Sequence, residues 1–451
     1  MKGHDLEKRQ VGPVEMADLE AMDFIKNLTK FGINLGLHRI RSLLQRLGNP
    51  HQGLKIVHIG GTNGKGSTTA ILQSVLKQAG YRAGMFISPH LHDYRERIRI
   101  NDELISCQDI TRGIAKMRPI LEEMAAEGIE HPTEFEVSTA LALWYFAEKQ
   151  PDFVLLEVGL GGEIDSTNVV TPVISVLTSI SMDHMDYLGE SLPEITEVKA
   201  GIIKEGVPVI TSVDNPESLQ IIQHHTEKKK SALIQVGNEV RWEKDEGKQN
   251  SFHYHGLKYH YFGLRLSLYG DHQFINASAA LAVCEMLAEL FKINIEEKAV
   301  RQGLITVQWP GRLEMISQRP KILLDGAHNV DGMKTLVRAL QEYAGGPFQR
   351  KRLLLCIGIL RDKEVGKIIQ LIAPLADEII ITKPDSPRAG DWKAIAGLAE
   401  KYLDSSKIHV IEDPAQAVKE GIRMMETDDL LCVTGSLYMI SEVRKYLQQK
   451  Y

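Results

Sequence analysis

Cysteine is scarce in this chain, 4 residues in 451. Cys107, Cys284, Cys356 and Cys432 stand far apart with no C-x-x-C spacing, so they are expected as reduced, mostly buried thiols of a cytoplasmic protein. A dominant charge is missing too. The formal net charge of -6 offers no electrostatic attraction for nucleic acid or an anionic membrane, and neither is expected as a partner. No apolar run approaches the roughly 20 residues that a bilayer span needs. Residues 1–10 are polar and charged, unlike a secretory leader. Internal repeats and low-complexity tracts are absent, and Lys228-Lys229-Lys230 is short enough to be a solvated helix end. What is there is a composition ordinary for a globular protein, 43% hydrophobic and 25% charged. A chain of 451 residues exceeds one ordinary core, so two or three domains are expected; the partners expected are small molecules, and the chain is expected as a monomer.

One segment stands out: Gly60-Gly61-Thr62-Asn63-Gly64-Lys65-Gly66-Ser67-Thr68-Thr69. It follows the apolar run 54–59, expected as a buried strand, and precedes a helical pattern with apolar Ile71, Leu72, Val75, Leu76 and Ala79. A glycine-rich turn between strand and helix exposes backbone N–H groups where the helix dipole is positive, which favours phosphate. Lys65 adds a mobile cation, and the hydroxyls of Ser67 and Thr68 can meet phosphate or sit near magnesium. Gly66 separates Lys65 from the hydroxyl, a departure from the standard P-loop spacing.

Short β-branched runs alternate with helical patterns nearly throughout, which argues for an α/β fold with mainly parallel sheets. Expected strands include 55–59, 82–87, 153–158, 173–178 and 207–211, and expected helices 65–78, 134–148, 193–204 and 215–228. Residues 236–269, rich in Tyr, His, Trp and Gly, are expected as antiparallel hairpins flanking the main sheet, with a helix over 272–290 after them. Gln308-Trp309-Pro310-Gly311-Arg312 interrupts both periodicities. It divides a P-loop-containing ATPase domain, 1–308, from a Rossmann-like domain, 309–451. Strands of the second series fall near 322–325, 352–357, 378–382, 408–411 and 430–434, with no G-x-G-x-x-G fingerprint for a dinucleotide.

Ligands of such sheets gather beyond the carboxyl ends of the strands. The phosphate loop, Ser88, Glu157 and the pair Asp183-His184 all fall on that edge, a plausible magnesium and phosphate cluster. Each also has a plainer reading. Ser88 before Pro89 fits a turn equally well. Glu157 at the end of an apolar run demands a partner, metal or ion pair. His184 alone would more often be structural. Lys199, on an expected helix, fits a solvated surface or a cation aimed at phosphate.

Eight motifs in order resemble the folylpolyglutamate synthase/dihydrofolate synthase family of the Mur ligase superfamily. They are G-T-N-G-K-G-S at Gly61, S-P-H-L at Ser88, E-V-G-L-G-G at Glu157, Asp165-Ser166-Thr167-Asn168, Asp183-His184, K-A-G-I at Lys199, P-G-R at Pro310 and D-G-A-H-N at Asp325. The similarity runs from about residue 33 to 436. It implies a ligase that joins L-glutamate to folate through an acyl phosphate, and that also joins dihydropteroate to its first glutamate if one site serves both steps. Implied cofactors are ATP and two Mg2+ ions, one at Ser88 and Glu157, the other at His184 and a carbamate on Lys199. Implied nucleotide contacts are Thr62, Asn63, Gly64, Lys65, Gly66, Ser67, Asn276, Arg312 and Asp325, with His328 and Lys363 near the phosphates on domain closure. The implied catalytic residues are Lys65, His184 and Lys199. Asn34, Leu35, Gly36, Thr133, Glu134, Phe135, Glu136, Ile164, Asp165 and Ser166 match segments near the pterin substrate, although Thr133 and Glu136 also spell a capping box. Arg388, in a charged C-terminal loop, is our assignment for the glutamate carboxylate. Two positions depart from the family: Glu163 replaces a usual arginine, and Val198 a commonly acidic residue.

Two alternatives stand beside this reading. A cell-wall Mur ligase is disfavoured because only about 50 residues precede the phosphate loop, too few for a uridine-nucleotide domain. A nucleotide-gated regulatory protein would hydrolyse ATP without needing an acid or an amine.

Overall fold

The computed structural model describes residues 13–451; residues 1–10, whose polarity argued against a leader, lie outside the described part. The first sheet has eight strands, in spatial order Glu103–Leu104, Ile98–Ile100, Ala83–Phe86, Phe153–Glu157, Ile56–Gly60, Ile174–Leu177, Val209–Thr211 and Leu233–Gln235. The six strands from Ala83–Phe86 onward run parallel, and the short pair at the other edge adds antiparallel. Both faces of the sheet are covered, which is why its strands read as unbroken apolar runs. Val57, Ile59, Met85 and Leu155 enter one core cluster with the helices Lys65–Gln78 and Asp271–Phe291. Ile56, Phe86, Val154 and Leu156 enter another with the helices His38–Arg46, Cys107–Ala126 and Glu134–Lys149.

The aromatic-rich segment forms its own antiparallel sheet, Arg241–Lys244, Ser251–His255 and His260–Arg265, and pairs with no strand of the first. Its inner face packs on the Asp271–Phe291 helix, with the rings of Phe252 and Phe274 stacked 4.9 Å apart. That helix corrects one sequence expectation, because by length and composition it could cross a membrane. Its apolar residues instead fill the core, and 67% of its most apolar window is buried.

The third sheet runs Glu314–Gln318, Lys321–Leu324, Leu430–Thr434, Leu353–Ile357, Glu378–Ile381 and Ile408–Val410, parallel except for the first pair. Separate apolar clusters cover its two faces. The carboxyl ends of the central strands of this sheet and of the first border one cleft of about 900 Å³. The expected helix over 193–204 stops earlier, at Leu192–Ala200, and the chain turns at Gly201. The Ser191 hydroxyl and Glu194 cap its start reciprocally.

Candidate active site

The phosphate loop leaves the strand Ile56–Gly60 and enters the helix Lys65–Gln78 through Gly64, whose φ of 90° is left-handed and costs glycine little. Glycine is also required there for space. A Cβ on Gly64 would lie 2.5 Å from Asn276 Oδ1, and one on Gly66 would lie 2.5 Å from the Trp309 ring. The loop is therefore wedged between Asn276, which the sequence assigned to the site, and Trp309, which it read only as part of the domain boundary. The Lys65 ammonium folds back to donate to the carbonyls of Gly61 and Thr62, at 3.0 Å each. Thr68 Oγ1 is buried without a partner.

Glu157 ends the strand beside the phosphate-loop strand, in register with Ile59. Burial pushes its carboxyl up to about 7, against the pull of the Lys65 and Arg312 cations and a Ser88 backbone hydrogen bond. Lys199 is drawn the other way. It is 5% exposed, and burial together with nearby Lys65 lowers its amine to about 7. Its Nζ donates to Gly61 O at 3.0 Å, the carbonyl that Lys65 also uses. The glycines after Glu157 make this approach possible, since a Cβ on Gly162 would lie 2.7 Å from the backbone oxygens of Val198 and Lys199. His184 sits at the cleft mouth with φ 53°, its imidazole held below the ordinary range by desolvation and by the Lys363, Lys65 and Lys199 cations. Of the two departures, Glu163 is exposed and Val198 packs in the core cluster around Ile195; neither removes a polar group from the cleft.

The C-terminal sheet supplies the opposite wall. Asp325 accepts from the backbone N–H groups of Leu313 and Ala327, both at 2.9 Å. Burial raises its carboxyl and the Arg312 guanidinium opposes the rise. His328 donates from Nδ1 to Gly326 O at 2.8 Å. A buried ion pair across the cleft joins two residues that the sequence placed near the phosphates separately, without pairing them. Asp183 Oδ1 binds Lys363 Nζ at 2.6 Å, and Oδ2 accepts from Asn329 Nδ2 at 2.9 Å. Burial would raise this carboxyl, but Lys363, His184 and His328 hold it well below the usual carboxylate range. Asn63 of the phosphate loop reaches the same wall, donating to Asn329 Oδ1 at 3.3 Å and Asp331 Oδ2 at 3.1 Å.

Lys65, Ser88, Glu157, His184, Lys199, Asn276, Arg312 and Asp325 thus line one cleft, together with Thr62, Asn63, Gly64, Gly66 and Ser67. Among the described residues no group of three His, Cys, Asp or Glu gathers as a ready-made metal set. Magnesium does not need one, because it is commonly held by one or two carboxylates plus phosphate oxygens. A buried carboxylate, the hydroxyls of Ser67 and Ser88 and a neutral imidazole around a loop of N–H groups fit a metal–triphosphate group.

The expected pterin segments lie outside that lining. Asn34 is exposed and donates to Glu130 Oε2 at 2.9 Å, next to exposed Leu35 and half-buried Gly36. Thr133 and Glu136 form the capping box of the helix Glu134–Lys149. Glu136 is 1% exposed, and its carboxylate also takes Arg39 Nε at 3.1 Å. Glu134 pairs with Arg97 at 3.1 Å, and Phe135 seats against Gly159 where a Cβ would collide. Asp165 accepts from Leu160 N at 2.7 Å, beside Ile164 and buried Ser166. Arg388 pairs with Asp362 at 3.3 Å. Arg39 escaped the sequence reading, although a charge on the Ile40/Leu43/Leu44 core face of its helix was a visible sign of a buried pair.

Two family models match the chain: the Mur ligase middle domain over residues 59–284, and the Mur ligase, glutamate ligase domain over residues 311–437. The chain is 38% identical over 437 residues to a dihydrofolate synthase/folylpolyglutamate synthase of Bacillus subtilis, covering 95% of this chain and 99% of the other. It is similar to the crystal structure of folylpolyglutamate synthase from Thermotoga maritima, with 37% identity, a TM-score of 0.82 and coverage of 97% and 98%. It is also similar to Mycobacterium tuberculosis folylpolyglutamate synthase complexed with ADP, with 27% identity, a TM-score of 0.87 and coverage of 95% and 99%.

Proposed function

We propose a residue-by-residue chemistry for this cleft from one premise: the chain belongs to the Mur ligases, within the folylpolyglutamate synthase/dihydrofolate synthase family. It is an ATP-dependent ligase that adds L-glutamate to folate. Residues 1–308 are assigned to nucleotide and metal binding, and residues 309–451 to the glutamate-ligating domain. The observation that carries the site is the meeting of Lys65, Lys199 and buried Glu157 at one phosphate-type loop, with Lys65 and Lys199 on the same Gly61 carbonyl.

A carboxylate is a poor electrophile, so an oxygen of the folate carboxylate takes the terminal phosphoryl of ATP and ADP departs. The glutamate amine then attacks the acyl carbon, phosphate leaves with the former carboxylate oxygen, and one amine proton is released. Backbone N–H groups of 63–67 and the Lys65 ammonium hold the phosphates in line, Lys65 leaving its Gly61 and Thr62 carbonyl contacts to do so. Asn276, Arg312 and Asp325 hold the rest of the nucleotide. Ser88 and Glu157 would hold one magnesium ion, and His184 with Lys199 a second; bound magnesium supplies positive charge against the phosphoryl oxygens. An amine near pH 7 in its titration is partly neutral at physiological pH, so Lys199 can add to carbon dioxide with loss of a proton and become a carbamate anion. Asn34, Leu35, Gly36, Thr133, Glu134, Phe135, Glu136, Ile164, Asp165 and Ser166 border the pterin end, with Glu136 acting by fixing the helix start. Arg388 takes the glutamate carboxylate. Dihydropteroate enters the same way, since its carboxylate needs the same activation. A cytoplasmic monomer is proposed on composition alone.

The test is ADP release by the purified protein. It should require a pterin acid and glutamate together, and mass detection should find the glutamylated product. Lys65→Ala should abolish both while far-UV circular dichroism stays unchanged. Turnover within a few-fold of the parent in that variant would remove Lys65 from the chemistry.

A further inference from the structure

Behind the cleft wall lies a buried polar train that ends on Asp165 and whose inner members, His58 and Thr167, the chemistry above does not use. His58 sits in the middle of the strand Ile56–Gly60, 0% exposed, between apolar Val57 and Ile59. Its Nε2 is 2.8 Å from Thr167 Oγ1. The Thr167 hydroxyl in turn meets Asp165 Oδ1, which also accepts from Thr167 N at 2.9 Å, while Oδ2 accepts from Leu160 N at 2.7 Å. The direction of the train follows from counting protons. A carboxylate gathering these donors is an acceptor, and a hydroxyl has one proton to give. Thr167 donates that proton to Asp165, so His58 donates to Thr167 from an Nε2–H tautomer. Burial, with Lys204 nearby, keeps the imidazole neutral by lowering it to about 3. The other ring nitrogen, Nδ1, is then a buried acceptor without a partner. Such a group keeps its desolvation cost uncompensated, and an apolar side chain in this strand would avoid that cost. Packing therefore does not account for a histidine here.

The place of the train suggests what does. His58 is two residues before Gly60, under the phosphate loop. Asp165 organises the turn at Gly159 and Leu160, which line the cleft directly after Glu157. The Phe135 ring packs on Gly159 so closely that a Cβ there would lie 2.4 Å from it. We propose that His58 and Thr167 are positioning residues: through Asp165 they fix the Gly159–Leu160 wall at a set distance from the phosphate loop, and so place the pterin acid relative to ATP. This rests on the reading that the wall borders the pterin end.

Valine is nearly isosteric with threonine and serine keeps the hydroxyl, so Thr167 allows a clean test. Glutamate-dependent ADP release by the full chain is titrated separately in tetrahydrofolate and in ATP. Thr167→Val should raise the KM for tetrahydrofolate about tenfold, the equivalent of about 1.4 kcal/mol, and leave the KM for ATP within twofold. Thr167→Ser should restore the parent value. A KM for tetrahydrofolate unchanged in Thr167→Val, a parallel rise of both KM values, or a serine variant that behaves like valine would each overturn the proposal. Asp165→Asn separates this failure from failure of the underlying reading. If Asp165→Asn raises the KM for tetrahydrofolate and Thr167→Val does not, the train is refuted alone; if neither does, the pterin end is not at this wall. Should Thr167→Val not fold, His58→Leu against His58→Gln gives the same contrast, with Gln retaining a donor.

Discussion

Lys363→Met should loosen the two sheets from each other without melting either. Lys363 and Asp183 are 5% and 7% exposed at the side chain and meet at 2.6 Å, yet they belong to opposite walls of the cleft. Removing one member of a buried pair typically costs about 3–5 kcal/mol, because the other charge stays behind unpaired. Here Asp183 keeps Asn329 Nδ2 at 2.9 Å and the His184 backbone N–H at 2.9 Å, which argues for the lower end, about 3 kcal/mol. Each sheet has its own apolar clusters, so the loss falls on the closed arrangement rather than on either core. A loss of about 3 kcal/mol moves the closed-to-open ratio by roughly a hundredfold. Small-angle scattering of the nucleotide-free variant should show a larger radius of gyration, while urea unfolding of the cores keeps its slope. The double variant Asp183→Asn/Lys363→Met should recover part of the closure, with a coupling of about 2 kcal/mol in the cycle. Unchanged scattering for Lys363→Met would refute the reasoning, since the pair would then hold nothing that the neighbouring hydrogen bonds do not.

Glu157 gives a pH signature in metal-free protein. Its carboxyl is raised from 4.5 to about 7, so the folded state holds a proton that the unfolded state releases between those values. Stability should fall as pH rises through that window, by up to about 3 kcal/mol, and urea midpoints of Glu157→Gln should lack that slope. Gly162→Ala should cut kcat by more than tenfold, because the added methyl meets immovable backbone of Val198 and Lys199 and shifts Lys199 from Gly61; normal turnover would show that the loop yields. Arg39→Met should destabilise the first domain by about 3 kcal/mol or more in urea titrations, leaving Glu136 buried and unpaired, and a cost below 1 kcal/mol would mean that Glu136 takes up a proton instead.

Much of the site was legible because its signals are local. A strand, a glycine turn and a helix are neighbours in sequence, and Glu157 at the end of an apolar run advertises an unmet charge. The helix Lys65–Gln78 lies where the pattern put it. The independent aromatic sheet was less legible, since alternation shows that hairpins form and not what they pack against. The membrane-compatible composition of Asp271–Phe291 went unnoticed for a related reason: isolated polar residues such as Gln273 and Asn276 break the apolar run, yet they turn toward the cleft.

The sequence by itself determined the α/β alternation, the phosphate loop and the family. These follow from periodicity and short motifs, where every interacting residue lies within a few turns of the next. Only the tertiary structure decided that Asn63 and Asp183 answer to Asn329 and Lys363, that Arg39 holds Glu136, and that His58 stands behind Asp165. Those partners are separated by 97 to 266 residues, 97 from Arg39 to Glu136 and 266 from Asn63 to Asn329. A charge or hydroxyl announces in sequence that it needs a partner, but which partner it meets is set by how whole sheets pack.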